Sequence, residues 1–397
     1  MRLAPIALLA SLLPGLPASA EEPGGGLPGR VRSAMQRFVD DGEVAGAVAL
    51  VGDADGVLAV EAVGLAEVEG ARPIRPDSVF RIASMTKPIA GIAVMMLVER
   101  GKLALDDPVA KHLPSFSGQM KLEFRQGGTF IAGRPARPIT VRDLLTHTSG
   151  LPDAPLPDSP ERDAPPATTL EGLAERYGHR RLGFEAGSRW SYSNAGINTL
   201  GRLVEVASGR PFEDFLQAEL FDPLGLVDTT FYPTPAQLQR LAVTYAKDAD
   251  GLHPVGSSKV GPVRGERPPS PAGGLYSTAP DLARVYRMML GRGSFEGRRL
   301  LSEASVAEMT RVQTGELPCG FVEGMGQGLA WGVVRRPTGA TEALKPGSFG
   351  HGGAYGTQAW IDPARGRFAV LLIQRVGLAN NDDTPIRRAL QREALAE

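Results

Sequence analysis

A single cysteine, Cys319, stands in 397 residues, so no disulfide can form within the chain and no cysteine near the N-terminal segment can carry lipid. The five histidines, His112, His147, His179, His253 and His351, are far apart, and none belongs to a His-Glu-x-x-His pair. Neither sign of charge dominates. The 43 Lys and Arg against 44 Asp and Glu leave a formal net charge of −1, which gives no basic surface for nucleic acid. Beyond the N-terminal segment no stretch approaches the ~18 apolar residues of a membrane span. Gly-x-Ser-x-Gly is missing, which argues against an α/β-hydrolase, and Gly324-Met325-Gly326-Gln327-Gly328 is not the dinucleotide pattern. No metal and no cofactor is expected.

What is present begins with Met1 to Ala20: a positive Arg2, an apolar run from Leu3 to Leu13, and Ala18-Ser19-Ala20 ahead of two acidic residues. This pattern reads as a signal peptide, 1–20, and implies a secreted, periplasmic protein. Val31, Met35 and Phe38 predict an N-terminal helix, followed by strands over Ala45–Val51 and Val57–Val63 joined by the turn Gly52–Gly56. Phe80 to Pro88 then leads into Ile89–Val98, apolar on every side, as in a helix buried all round. From there to about residue 270 the pattern is mostly helix and loop. Thr140–Leu145 carries a capping box, the six prolines of 151–169 mark an extended loop, and Ile197, Leu200, Leu203, Val204 and Ala207 line an amphipathic helix. Phe212–Leu220 continues in helix, and Thr278 with Asp281 opens another helix through a second capping box. Strands are expected over Leu329–Val334, Ala354–Ile361 and Phe368–Gln374, and a last helix over Pro385–Leu395. Strands near both ends with helices between them predict an α+β fold. In it, 21–105 and 271–397 form a sheet-bearing domain and 106–270 a helical insertion, together one unit of about 30–395.

Ser84 and Lys87 stand three apart at the start of the buried helix, where they share a face. An amine beside a hydroxyl can take its proton if burial keeps the lysine partly neutral. With only seven lysines in the chain, no other has a serine three before it. Tyr192 is likewise the only tyrosine with an asparagine, Asn194, two later. The bland reading makes Ser84 an N-cap and Tyr192 a core residue.

The three boxes Ser84-Met85-Thr86-Lys87, Tyr192-Ser193-Asn194 and His351-Gly352-Gly353, in this order, resemble the serine β-lactamase and penicillin-binding superfamily. The tyrosine resembles the branch of class C β-lactamases, D-alanyl-D-alanine carboxypeptidases, D-aminopeptidases and family VIII esterases. Leu144–Leu151, Asp222–Leu226 and Gly273–Thr278 add to the likeness. The resemblance implies a β-lactamase/transpeptidase-like antiparallel sheet flanked by helices, with Ser84, Lys87 and Tyr192 catalytic. It also implies that Asn194, His351, Gly352 and Gly353 orient substrate, while the N–H groups of Ser84 and Ala354 form an oxyanion hole. His147 is read as a structural hydrogen-bonding residue. Most β-lactamases carry Lys-Thr-Gly in the third box. His351 and Gly352 offer a substrate carboxylate weaker anchors, since histidine is only partly charged near neutrality and glycine has no hydroxyl. Ester or amide hydrolysis of a small-molecule or peptide acyl substrate through a Ser84 acyl-enzyme is therefore expected first, D-amino-acid peptidase activity second and β-lactamase third. A slow penicillin- or peptidoglycan-binding protein is a further alternative.

Overall fold

The computed structural model describes residues 26–126, 129–155, 159–256 and 261–395. The signal-peptide reading of Met1–Ala20 and positions 156–158 of the proline-rich loop lie outside the described residues. Strand β1 (Gly46–Asp53) sets the layering. Ala47, Ala49 and Val51 pack on one face and Val48 and Leu50 on the other, all buried, so β1 sits in a sheet interior. It pairs antiparallel with β2 (Val57–Glu67), which continues into the short β3 (Arg72–Pro73). The remaining strands come from the other end of the chain: β4 (Met325–Gln327), β5 (Gly332–Val334), β6 (Phe349–Gly352), β7 (Gln358–Asp362) and β8 (Arg367–Leu372). The eight run in the order β4-β5-β6-β7-β8-β1-β2-β3 and every pairing is antiparallel, with Val48 opposite Leu372 where the two chain ends meet.

Helices α1 (Leu27–Asp40) and α6 (Pro385–Leu395) cover the outer face, burying Val31, Met35, Ile386 and Leu390 against Ala49 and Leu371. The inner face carries the larger core and packs against α2 (Thr86–Glu99) and α5 (Ala279–Leu290); the same core continues into α4 (Asn194–Ser208) and the helices Leu170–Gly178 and Phe212–Leu216. In α2, Ile89, Ile92, Val94, Met95, Met96 and Leu97 are all at most 2% exposed. At ~1.5–3 kcal/mol for each such side chain, burial rather than helix propensity holds this element.

The antiparallel sheet flanked by helices agrees with the expected fold, with local corrections. The strand expected over Leu329–Val334 shrinks to β5, because Leu329 and Ala330 instead donate to Met309 O and Leu145 O, with Ala330 at φ +63°. The strand expected over Ala354–Ile361 starts only at Gln358, since the chain first turns back so that Gly353 N donates to Thr357 O. The middle of the chain is less purely helical than its pattern suggests: Lys121–Gln126 pairs with Thr129–Gly133, and Tyr245–Asp248 with Gly251–Pro254. Thr140 forms its complete capping box with Asp143 at the start of α3 (Val141–Leu145). At α5 only half of the second box forms. Thr278 caps Asp281 N, but the Asp281 carboxylate accepts from Asp228 N and Thr229 Oγ1 instead, tying α5 to a distant loop. The helix expected over Phe212–Leu220 widens into a π turn at Gln217–Phe221, next to Pro223, which has no N–H to return to the helix.

Candidate active site

Ser84 lies on the 3₁₀ turn Ala83–Met85, which runs directly into α2. In a 3₁₀ turn, residues three apart eclipse one another, so Lys87 comes to stand over Ser84. Lys87 Nζ donates to Ser84 Oγ at 3.0 Å, to Asn194 Oδ1 at 2.8 Å and to Ala272 O at 2.6 Å. Ala83 has φ +47°, a conformation unusual for a residue with a side chain, and the turn is tied down around it. Thr86 Oγ1 donates to Ala83 O and accepts from Leu275 N, and Ile82 N donates to Leu275 O.

Lys87 is fully buried. That burial pulls its ammonium down from the usual 10.5 to about 7, against a smaller opposing pull from the Asp153 carboxylate. An amine in hydrogen-bond contact with a serine hydroxyl, and partly neutral at physiological pH, is equipped to accept that hydroxyl's proton.

Tyr192 reaches the same point from the segment before α4. Its ring centroid lies 4.5 Å from Lys87 Nζ. Burial drives its phenol well above the usual range, opposed by a hydrogen bond with Ser84 and reinforced by the carboxylates of Asp382 and Asp153. Tyr192 is therefore a neutral phenol across the physiological range. His147 holds it from behind, with ring centroids 4.6 Å apart, and its Nδ1 accepts from Ser193 N at 3.1 Å. That makes Nδ1 unprotonated, and burial with the Lys87 charge holds the imidazole well below its usual range. The hydrogen-bonding role read for His147 from the sequence is the one it occupies. Ser193 caps α4 by accepting from Gly196 N and donates to Leu151 O, and Asn194 follows as the first helical residue. Asn194 is fixed in orientation: Oδ1 faces Lys87 and Nδ2 donates to Asp153 Oδ2 at 2.8 Å.

The third box is on β6 and the turn after it. A Cβ at Gly353 would lie 2.5 Å from Ile82 O, so only glycine lets this segment press against the turn that carries Ser84. Thr357 Oγ1 donates to Ile82 O at 3.2 Å from the same turn. Gly352, Gly353 and Ala354 line one cleft with Ser84 and Tyr192. His351 shares this cleft, 6.2 Å from the Tyr192 ring. Its Nδ1 is 2.6 Å from Gly352 O, so the neutral ring carries its proton there. Burial and the nearby Lys87 charge lower its pKa to about 4, against smaller opposing effects from the Gly352 carbonyl and Asp382. His351 is thus neutral near pH 7, less charged than its residue type alone suggests.

All the candidate site residues named from the sequence therefore meet around Ser84. Four more were not anticipated. Asp153 comes from the proline-rich loop, which Arg180 pins by donating to Pro152 O and Asp153 O, so this end of the loop is part of the site rim. Phe321 and Trp190 pack on Tyr192, with centroids at 5.1 and 6.2 Å. Asp382 lies beside Gly352. Trp190 was discernible, because in extended chain it shares a side with Tyr192 two residues on; the others had no signal.

Fold and site define a hydrolase of the serine β-lactamase superfamily. The β-lactamase family model matches residues 31–393, and the chain belongs to that family. It is 32% identical to esterase EstB of Burkholderia gladioli over 375 residues, 87% of this chain and 90% of EstB. It is 27% identical to the D-alanyl-D-alanine-carboxypeptidase/endopeptidase AmpH of Escherichia coli K12, over 76% of this chain and 73% of AmpH. Among solved structures, EstCE1, a hydrolase with promiscuous acyltransferase activity, superposes with a TM-score of 0.76 at 26% identity, covering 94% of this chain and 98% of its own. Among the described residues no helix is long and apolar enough to cross a membrane.

Proposed function

We propose that the protein is an exported, periplasmic esterase or amidase that works through an acyl-enzyme on Ser84. The observation that carries this reading is the buried Lys87, 3.0 Å from Ser84 Oγ and depressed to about 7. Neutral Lys87 takes the serine proton as Oγ bonds to the acyl carbon, and the N–H groups of Ser84 and Ala354 receive the carbonyl oxygen as it becomes negative. The bond to the leaving group then breaks, and the neutral phenol of Tyr192, refilled from the Lys87 ammonium, supplies its proton. Water repeats the sequence on the acyl-enzyme. Asn194 holds Lys87 in place, and His351, Gly352 and Gly353 line the substrate's path along β6.

The ranking of substrates rests on the third box. A β-lactam or a peptide terminus brings a carboxylate, and a neutral His351 beside Gly352 offers neither a cation nor a hydroxyl to hold it. Likeness to an esterase at 32% identity points the same way. The test is to assay a short-chain p-nitrophenyl ester and a chromogenic cephalosporin side by side. The ester's kcat/KM is expected to exceed the cephalosporin's by about 100-fold, the worth of one to two lost charge-assisted contacts. A cephalosporin turned over as fast as the ester would move the reading to a β-lactamase.

A further inference from the structure

A side chain at position 352 has no room, and what fills its place is a carboxylate. A Cβ on Gly352 would lie 2.2 Å from Asp382 Oδ1 and 2.4 Å from Gln358 Nε2. Asp382 also lines the Ser84 cleft together with Tyr192, His351 and Ala354. Its position is fixed from several sides. Gln358 Nε2 donates to Oδ1 at 3.2 Å, the Asp382 N–H donates to Asn380 Oδ1 at 2.9 Å, and the Arg387 guanidinium donates to its main-chain carbonyl. Arg387 is fully buried behind it, stacked over Trp360, with Nη1 3.9 Å from Oδ1. Asp382 lines the Ser84 cleft, whereas Arg387 lines only the adjoining cavity, with Asp382, Gly352, His351 and Trp360.

Only the buried Arg387, 3.9 Å from Oδ1, answers this charge, and no cation does so from among the residues lining the Ser84 cleft. Asp153, the second carboxylate near Tyr192, accepts from Asn194 Nδ2 and from Ala195 N at the start of the 15-residue helix α4, so a helix N-terminus offsets it. His351 is neutral. Lys87 lies deep, against Ser84.

We propose that Asp382 is the charge selector of the site: it disfavours acyl substrates that carry a carboxylate on the leaving-group side and favours neutral or cationic ones. This rests on the Ser84 reading and adds to it a specificity-determining residue and a class of leaving group. One charge within several ångströms of another, offset in part by Arg387 and in a partly wet cleft, is worth up to about a tenfold change in kcat/KM.

The test uses three thioesters with one acetyl group and leaving thiols of different charge: S-acetyl-3-mercaptopropionate, its methyl ester, and acetylthiocholine. Thiol release is followed with a chromogenic disulfide. For the wild type, the anionic thioester is expected to be the poorest. In Asp382→Asn, which keeps an acceptor for Gln358, the ratio of anionic to neutral kcat/KM should rise by up to about tenfold. A merely structural role would slow all three thioesters alike, and an unmoved ratio overturns the proposal. Should that variant fold poorly, the wild type supplies a second reading. Going from low to high salt should raise the anionic-to-neutral ratio several-fold, since a net charge of −1 contributes little long-range field. A ratio indifferent to salt also overturns it. Turnover surviving in Ser84→Ala would instead defeat the acyl-enzyme reading, so the two failures are distinguishable.

Discussion

Ser84→Ala is expected to lower ester turnover by at least ~10⁴-fold while leaving the fold intact. The loss is large because the group removed is the one that bonds to the acyl carbon, and no other hydroxyl among the described residues receives a hydrogen bond from Lys87 Nζ. The cost in stability is small for a definable reason. Lys87 keeps two of its three acceptors, Asn194 Oδ1 and Ala272 O, and the 3₁₀ turn is held by Thr86, Ile82 and Leu275 rather than by the Ser84 side chain. The two hydrogen bonds lost, to Lys87 and to Tyr192, at about 1 kcal/mol each, then shift the melting temperature by no more than about 5 °C. The measurement pairs p-nitrophenyl ester hydrolysis with thermal melting by circular dichroism. Turnover within tenfold of wild type would mean that another group is the nucleophile.

What the sequence made legible at this site was whatever depends on short spacings. Ser84 and Lys87 lie within one turn, and a three-residue spacing dictates contact whether that turn is α or 3₁₀. Ser193 and Asn194 open a helix whose apolar period is plain, so Tyr192 had to sit at its N-terminal end. Asp382 and Asp153 were not legible. Each is one acidic residue among many, brought to the site by a loop whose path depends on partners far away in the chain, such as Arg180 for Asp153 and Gln358 for Asp382. The fold followed the same division. The continuous apolar run of β1 and the all-round apolar character of α2 fixed the middle layer. The ends of β5 and β7 were misjudged because the apolar residues there turn aside to serve other contacts, with Ala330 reaching Leu145 and Gly353 turning back to Thr357. Apolar character alone cannot tell a strand residue from one buried in a turn.

Hydrolysis of a neutral ester is expected to depend on pH through Lys87, and the sign follows from its burial. The amine must be unprotonated to accept the Ser84 proton, so kcat/KM should fall about tenfold per pH unit below about 7 and level off above it. No second limb should follow on the alkaline side before ~pH 10, because burial drives Tyr192 above its ordinary value. The same depression bears on stability. Between about pH 7 and 10.5 the unfolded chain holds a proton on this lysine that the folded chain has lost. This residue's contribution to stability therefore increases with pH across that window. Lys87→Arg makes the sharper test, since arginine keeps the positive charge but does not deprotonate. That variant should lose at least ~10³-fold in kcat/KM at every pH from 5 to 10, with the acid limb abolished along with the plateau. Tyr192→Phe should behave differently. With the base intact, the limb should persist near pH 7 while the plateau drops by about 100-fold or more, because leaving-group protonation is what has been removed. If the limb instead vanished in Tyr192→Phe and survived in Lys87→Arg, the phenol would be the base, and the burial of Lys87 would serve only to place a cation beside it.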